Sequence, residues 1–254
     1  MGDYVLVHGA MHGGWCWRFV RDRLSGAGHR VFTPSLTGQG EHRHLLGPDV
    51  GVATHVRDVT GLLDYEDLRD AHLVLHSYAG ILAGPVAERA AARLASVTFL
   101  GAFVVRPGEC LLDVEPPATA ERYRALAASD GEGWYLPADA SFLTRWGVTD
   151  EALRAWAAPR LTDFPLRCQT DTVDFDPGPL AALPTSYVRH TRPPLPSLDL
   201  SLSRADADGW DIHSLPAGHD MMLEAPEATA RLLTRIAERG EPGGPRRPSP
   251  SPPP

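Results

Sequence analysis

Apolar positions along this chain follow two alternating rhythms. Short runs of strand length, DYVLVHG, HRVFTPSL, AHLVLHS and ASVTFLGAF, alternate with segments whose apolar residues recur every three or four positions. In WCWRFVRDRLSGAG the repeat is Trp17, Val20 and Leu24, closed by glycine; in THVRDVTGLLDYEDL it is Val56, Val59, Leu62 and Leu63. Both patterns predict amphipathic helices. AHLVLHS and ASVTFLGAF are almost unbroken apolar runs, as expected of strands covered on both faces in a parallel sheet. GILAGPVAERAAARL lies between them as a further helix. This strand-helix alternation predicts an α/β fold, a mostly parallel central sheet flanked by helices.

From Val104 to Leu183 the rhythm breaks, and proline, aspartate and aromatic residues accumulate. The stretch reads as a mostly helical cap insertion over the sheet's edge, with most of its aromatics in its own core. PTSYVRHT and GWDIHSLP resume the sheet. APEATARLLTRIAERG supplies the last helix, with Pro226 in its first turn and Gly240 as its stop. The expected organisation is a core of residues 1–103 and 184–239, a cap of 104–183, and a disordered proline-rich tail, 240–254.

Composition narrows the chemistry. A net charge of −8 argues against nucleic acid as a partner, because a phosphate-binding face needs a basic excess. No apolar run reaches the roughly 18 residues of a membrane span. The first residues enter a strand at once, leaving no room for a secretory leader, and Cys16, Cys110 and Cys168 are too scattered for a disulfide framework. A cytoplasmic protein is expected. Lysine is absent, which excludes Schiff-base chemistry. No zinc-ligand spacing and no G-x-G-x-x-G motif occurs, so neither a metal nor a cofactor is expected.

In a parallel α/β sheet, reactive groups gather at the carboxyl ends of the strands. Four such ends carry His8-Gly9-Ala10-Met11, Ser77, Gly101 and Gly218-His219. Around Ser77 the sequence LVLHSYAG approximates the nucleophile elbow G-x-S-x-G, with Leu75 and Ala79 in the glycine places. A serine in mid-chain followed by a histidine after the last strand is the chain order of an α/β-hydrolase triad. Ser77 is the candidate nucleophile and His219 the base that takes its proton. The backbone N–H groups of Tyr78 and Ala10 are the candidate oxyanion donors. Met11, His12, Trp134 and Trp146 are expected to line the pocket of a hydrophobic small-molecule substrate.

LVHGAMHGGWCW, followed by LSGAGHRVFTPSLTGQGEHRHLL, closely resembles the opening of the plant methylesterases that act on salicylate and jasmonate esters. That family also includes hydroxynitrile lyases and many bacterial α/β-fold hydrolases. LPAGHDMMLEAPEATARLL resembles its catalytic-histidine segment, so the similarity spans residues 4 to about 239. The resemblance implies that His76 supports the turn at Ser77, and that His8 belongs structurally to the oxyanion loop. It also implies a catalytic aspartate after the strand TSYVRHT, where this chain has Arg192-Pro193-Pro194-Leu195-Pro196 and no carboxylate. The other possible acid position, Gly101, is equally empty. Asp199, just beyond the prolines, is the candidate relocated acid. Failing that, a carbonyl or a water orients the ring, leaving a Ser-His dyad. Asp220 adjoins His219, but a side chain at i+1 rarely folds back onto the same ring, and a helix-leading or loop role suits it better. The lyases' lysine beside the histidine is replaced by Asp220, which disfavours that activity.

The expected function is hydrolysis of an ester, lactone or thioester. Two alternatives follow from the missing acid. One is a non-hydrolytic member using His219 for cyclisation, dehydration or C–C cleavage in secondary metabolism. The other is a ligand-binding pseudo-hydrolase.

Overall fold

The structure is a computed structural model and describes residues 1–240; of the expected tail, 240–254, Gly240 closes the last helix and the rest lies outside the described residues. The strands are β1 (Asp3–Val7), β2 (Arg30–Phe32), β3 (Ala71–His76), β4 (Leu94–Leu100), β5 (Tyr135–Leu136), β6 (Phe164–Pro165), β7 (Thr185–His190) and β8 (Asp211–Leu215). Six of them form one sheet in the order β2-β1-β3-β4-β7-β8, and every neighbouring pair is parallel. The fold is that of an α/β hydrolase, as expected.

Helices of the core are α1 (Arg18–Gly26), α2 (Val52–Tyr65) and α3 (Ala83–Ala90). The segment between β4 and β7 carries α4 (Leu111–Val114), α5 (Pro117–Asp130), α6 (Ser141–Arg145), α7 (Glu151–Ala157), α8 (Arg167–Thr170) and α9 (Pro177–Ala181). After β7 come α10 (Asp199–Ala207), α11 (Met221–Glu224) and α12 (Pro226–Gly240).

Central strands have two dry faces, and the side chains of β3 divide between them. Leu73 and Leu75 enter one apolar cluster with Val56, Val59 and Leu63 of α2 and Val86 of α3. Val74 enters the other, with Val20 and Leu24 of α1 and Leu233 and Ile236 of α12. Each such leucine or valine contributes about 1.5–3 kcal/mol by leaving water. This two-sided burial makes the strand short, apolar and legible.

Two elements differ from expectation. HRVFTPSL forms only a three-residue strand, because Pro34 cannot donate to a ladder. Helix α10 has no apolar stripe to announce it: its inward positions are the small Ser201 and Ala205, both fully buried. Ser201 Oγ accepts the Val104 N–H at 3.0 Å, so the helix docks by a hydrogen bond as well as by packing. Helices, most of them short, alternate with irregular backbone between β4 and β7, with β5 and β6 added as a small antiparallel ribbon.

Candidate active site

Ser77 leaves β3 directly and opens a tight 3-10 turn, Ser77–Leu82, with φ at +53°. That left-handed conformation is costly for a side chain and gathers at functional sites. The elbow forms without either family glycine, since Leu75 and Ala79 are simply buried. A glycine matters instead on the facing loop. A Cβ at Gly9 would stand 2.7 Å from Ser77 Cβ and 2.9 Å from His76 Nδ1. Only glycine lets the loop after β1 pass behind the serine this closely.

His219 reaches the same point from the loop after β8. Thr191 and Arg192 N–H donate to the Ala217 carbonyl at 3.2 and 3.0 Å, fixing that loop to the end of β7. His76 Nε2–H donates to the His219 carbonyl at 3.1 Å. His76 Nδ1 has no partner, and burial lowers the His76 pKa to about 4 against the charge of Asp220. The result is a 2.9 Å contact between His219 Nε2 and Ser77 Oγ. Burial, then the repulsion a second positive charge would meet from the neighbouring rings of His76, His190 and His12, holds the His219 pKa well below the ordinary histidine value.

Among the described residues no acid completes the pair. His219 Nδ1 is buried and has no hydrogen-bond partner. Asp199 stands exposed as the first residue of α10, so the relocated-acid expectation fails: its helix holds it at the surface, off the buried ring. Gly101, at the end of β4, would direct a Cβ to 3.4 Å from His219 Nδ1 and 3.2 Å from His190 Nδ1. The His190 ring lies 5.0 Å from that of His219. Both His190 nitrogens lack partners, and burial lowers its pKa to about 4. An imidazole and a bare glycine stand where a carboxylate would.

The nearest buried carboxylate is used elsewhere. Asp220 Oδ2 lies 3.3 Å from His12 Nε2, and both residues are buried. His12 Nδ1–H donates to the Ala10 carbonyl at 2.8 Å. With both ring nitrogens donating, His12 is a cation paired with Asp220. Burial alone would lower its pKa, but the Asp220 charge and hydrogen bond, helped by the Ala10 carbonyl, raise it. Asp220 does lead α11, as its position suggests, but its side chain makes no cap hydrogen bond there.

Ala10 and Tyr78 share one cavity of about 100 Å³ with Ser77 and His219. Tyr78 lies in the first turn of its helix, where N–H groups have no intrahelical partner. Its hydroxyl donates to His55 Nδ1 at 2.9 Å, while His55 Nε2–H donates to the Thr37 carbonyl. His8 braces the facing loop: it bonds to the Gly9 carbonyl and accepts the Leu36 N–H, and burial lowers its pKa to about 3.

Of the four expected pocket residues, the structure brings only Trp146 to the cavity, beside Phe142 and Tyr123 of the cap. Met11 is buried in the core, with its carbonyl accepting the Thr162 N–H at 3.0 Å. His12 stacks between Trp15 and Trp146, drawn away by its pairing with Asp220. Trp134 packs edge-on against Tyr135 in the cap ribbon. The cap also contributes polar groups that sequence reasoning missed, Glu115 and Gln169, because nothing in a short irregular helix reveals which way it faces. A larger cleft of about 650 Å³, lined by Phe99, Phe175 and Trp210, reaches none of the reactive groups. The chemistry, not the volume, locates the site.

The segment between β4 and β7 is tied at two places to the loops that carry His219 and Ala10. Gly147 and Gly218 meet back to back, so that a Cβ on Gly147 would stand 2.7 Å from Gly218 Cα. The Asp220 N–H donates to the Trp146 carbonyl at 3.2 Å beside this contact. The second tie is the Thr162–Met11 bond, supported by Gln39 Nε2, which donates to the Asp163 carbonyl at 2.7 Å.

Residues 4–232 match the family described as Alpha/beta hydrolase family. The chain is 34% identical over 245 residues to the carbendazim hydrolyzing esterase of Nocardioides sp. (strain SG-4G), covering 93% of this chain and 100% of that protein. Its N-terminal part is 31% identical over 103 residues to methylesterase 7 of Arabidopsis thaliana, 40% of either chain. Among solved structures, an extracellular alpha/beta-hydrolase from a Paenibacillus species superposes with a TM-score of 0.82 at 18% identity, covering 93% of this chain and 99% of that one.

Proposed function

This chain belongs to the alpha/beta hydrolase family, and we propose that it hydrolyses an ester of a small, largely apolar molecule through Ser77 and His219. Ser77 Oγ attacks the ester carbonyl while His219 Nε2 takes its proton. The negative oxygen is received by the N–H groups of Ala10 and Tyr78. Collapse expels the alcohol, protonated by His219, and a water activated by the same ring releases the acid.

The observation that carries this reading is the 2.9 Å serine–histidine contact at a left-handed elbow. Full-length likeness to a named esterase supports the reaction class. The unpartnered Nδ1 bears on the rate. Loss of the acid's role in a serine protease costs about 10⁴ in turnover, so a slow enzyme with a Ser-His dyad is expected. A fluorophosphonate should add one adduct to the intact protein, lost in Ser77→Ala; an unlabelled wild type would sink the acyl-enzyme.

The same orphaned nitrogen favours one second reading, acid–base chemistry at His219 with no covalent step. That reading requires turnover to survive Ser77→Ala and to vanish in His219→Ala.

A further inference from the structure

The cavity at Ser77 contains two buried acceptor oxygens that the protein leaves unpaired. Glu115 Oε2 and Gln169 Oε1 both lack a hydrogen-bond partner, and the residues are 8% and 4% exposed. Buried polar atoms are nearly always satisfied, so two orphans on one cavity wall call for a partner from outside the chain. Glu115 follows α4, and Gln169 lies on α8, so two separate cap elements present them to the same space. Burial raises the Glu115 pKa to about 7, against a hydrogen bond to Ser197 and the charge of Arg122.

The rest of the wall limits what that partner is. Phe103, Leu111 and Phe142 offer no hydrogen to these oxygens, and the hydroxyls of Thr119, Tyr123 and Ser197 on the same wall bond neither Glu115 Oε2 nor Gln169 Oε1. Arg122 and Arg145 line the cavity too, but both are exposed, and Arg145 lies over the Phe142 ring at 4.3 Å. With Glu115 ionised, a carboxylate or carbonyl set against these two oxygens would place lone pair against lone pair. A volume of about 100 Å³ holds a group on the scale of one small ring, since an engineered cavity of about 150 Å³ takes up benzene.

We propose that Glu115 and Gln169 form a specificity site for substrates whose small apolar ring carries an N–H donor, the hydrogen being accepted by these two side chains while the ester carbonyl faces Ser77. The turnover part of this inference rests on the hydrolase reading; the recognition part does not. A site built around hydrogen-bond acceptors discriminates strongly against an analogue that lacks the hydrogen.

The probe is a matched pair, methyl 1H-pyrrole-3-carboxylate and methyl thiophene-3-carboxylate, which differ by N–H against S. The ratio of their kcat/KM values in the wild type is divided by the same ratio in Glu115→Leu and in Gln169→Leu, which cancels their intrinsic reactivities. A fall of about tenfold in the pyrrole preference is expected in each variant, with part of it retained in Glu115→Gln. A ratio unchanged within about twofold overturns the proposal. If Glu115→Leu does not fold, Gln169→Leu and Glu115→Gln give the same reading. Calorimetry on Ser77→Ala then separates binding from chemistry. Pyrrole ester held about tenfold tighter than thiophene ester supports the site, and equal or reversed affinities overturn it. If that preference holds while the wild type turns over neither ester and takes up no fluorophosphonate, recognition stands and the hydrolase reading falls.

Discussion

Asp220 adjoins His219 in sequence, yet its carboxylate bonds to His12 rather than to the His219 ring. Removing one member of such a buried pair leaves the other uncompensated, at a cost of about 3–5 kcal/mol. His12→Leu and Asp220→Leu are each expected to lose about that much in urea unfolding. The double variant should recover a large part of the sum, because no lone charge remains. Strictly additive losses would mean that the two residues are not a charged pair. The sequence displays both residues but not their partnership, since they lie 208 positions apart. Sequence reading correctly doubted Asp220 as the triad acid and had no means of finding its partner. His190 was invisible for a similar reason: a histidine closing a strand carries no sign of what the neighbouring loop brings beside it.

Among the elements, the elbow and the loop after β1 form one device. They can sit together because Gly9 has no side chain where Ser77 Cβ stands 2.7 Å away. On the proposed mechanism, Gly9→Ala should push the loop after β1 off the serine and reduce kcat by about 10²-fold, the scale of losing one oxyanion donor. Fluorophosphonate labelling of Ser77 should slow in parallel. An unchanged kcat would show that the close approach is dispensable. Legibility at this scale follows burial. β1, β3 and β4 are apolar on both faces and could be read directly, as could the stripe of α1. Helix α10 packs through Ser201 and Ala205 and could not. The cap was recognised as an interruption, but its short helices leave the direction of Trp134 or Glu115 undetermined until the chain is folded.

Across the molecule, histidines set the response to acid. His8, His55, His76, His190 and His219 all have pKa values lowered by burial from the ordinary 6.5. Below pH 6.5 the unfolded chain takes up protons that the folded chain refuses, so stability falls with acidification. The slope is about 1.4 kcal/mol per pH unit for each titrating histidine. For His76 and His190 it persists down to about pH 4, and for His8 to about 3. His12 works the other way: its raised pKa favours folding below 6.5, and that contribution is lost as pH rises through the folded value. Glu115, raised to about 7, also opposes the trend, by one proton between 4.5 and 7. The histidines outnumber both, so the urea midpoint should be clearly lower at pH 5 than at pH 7.5. A midpoint that is flat or rises toward pH 5 would contradict the buried neutral assignments. The two ties to the loops that carry His219 and Ala10 have a different kind of consequence. Residues 146–147 and 162 are fastened to the loops that hold His219 and Ala10, whereas Glu115 and Gln169 hang free of both attachments. On the proposed chemistry and specificity site, selection acting on this segment meets two kinds of position: some where drift would slow every substrate alike, and others where it would exchange one diet for another with the chemistry intact.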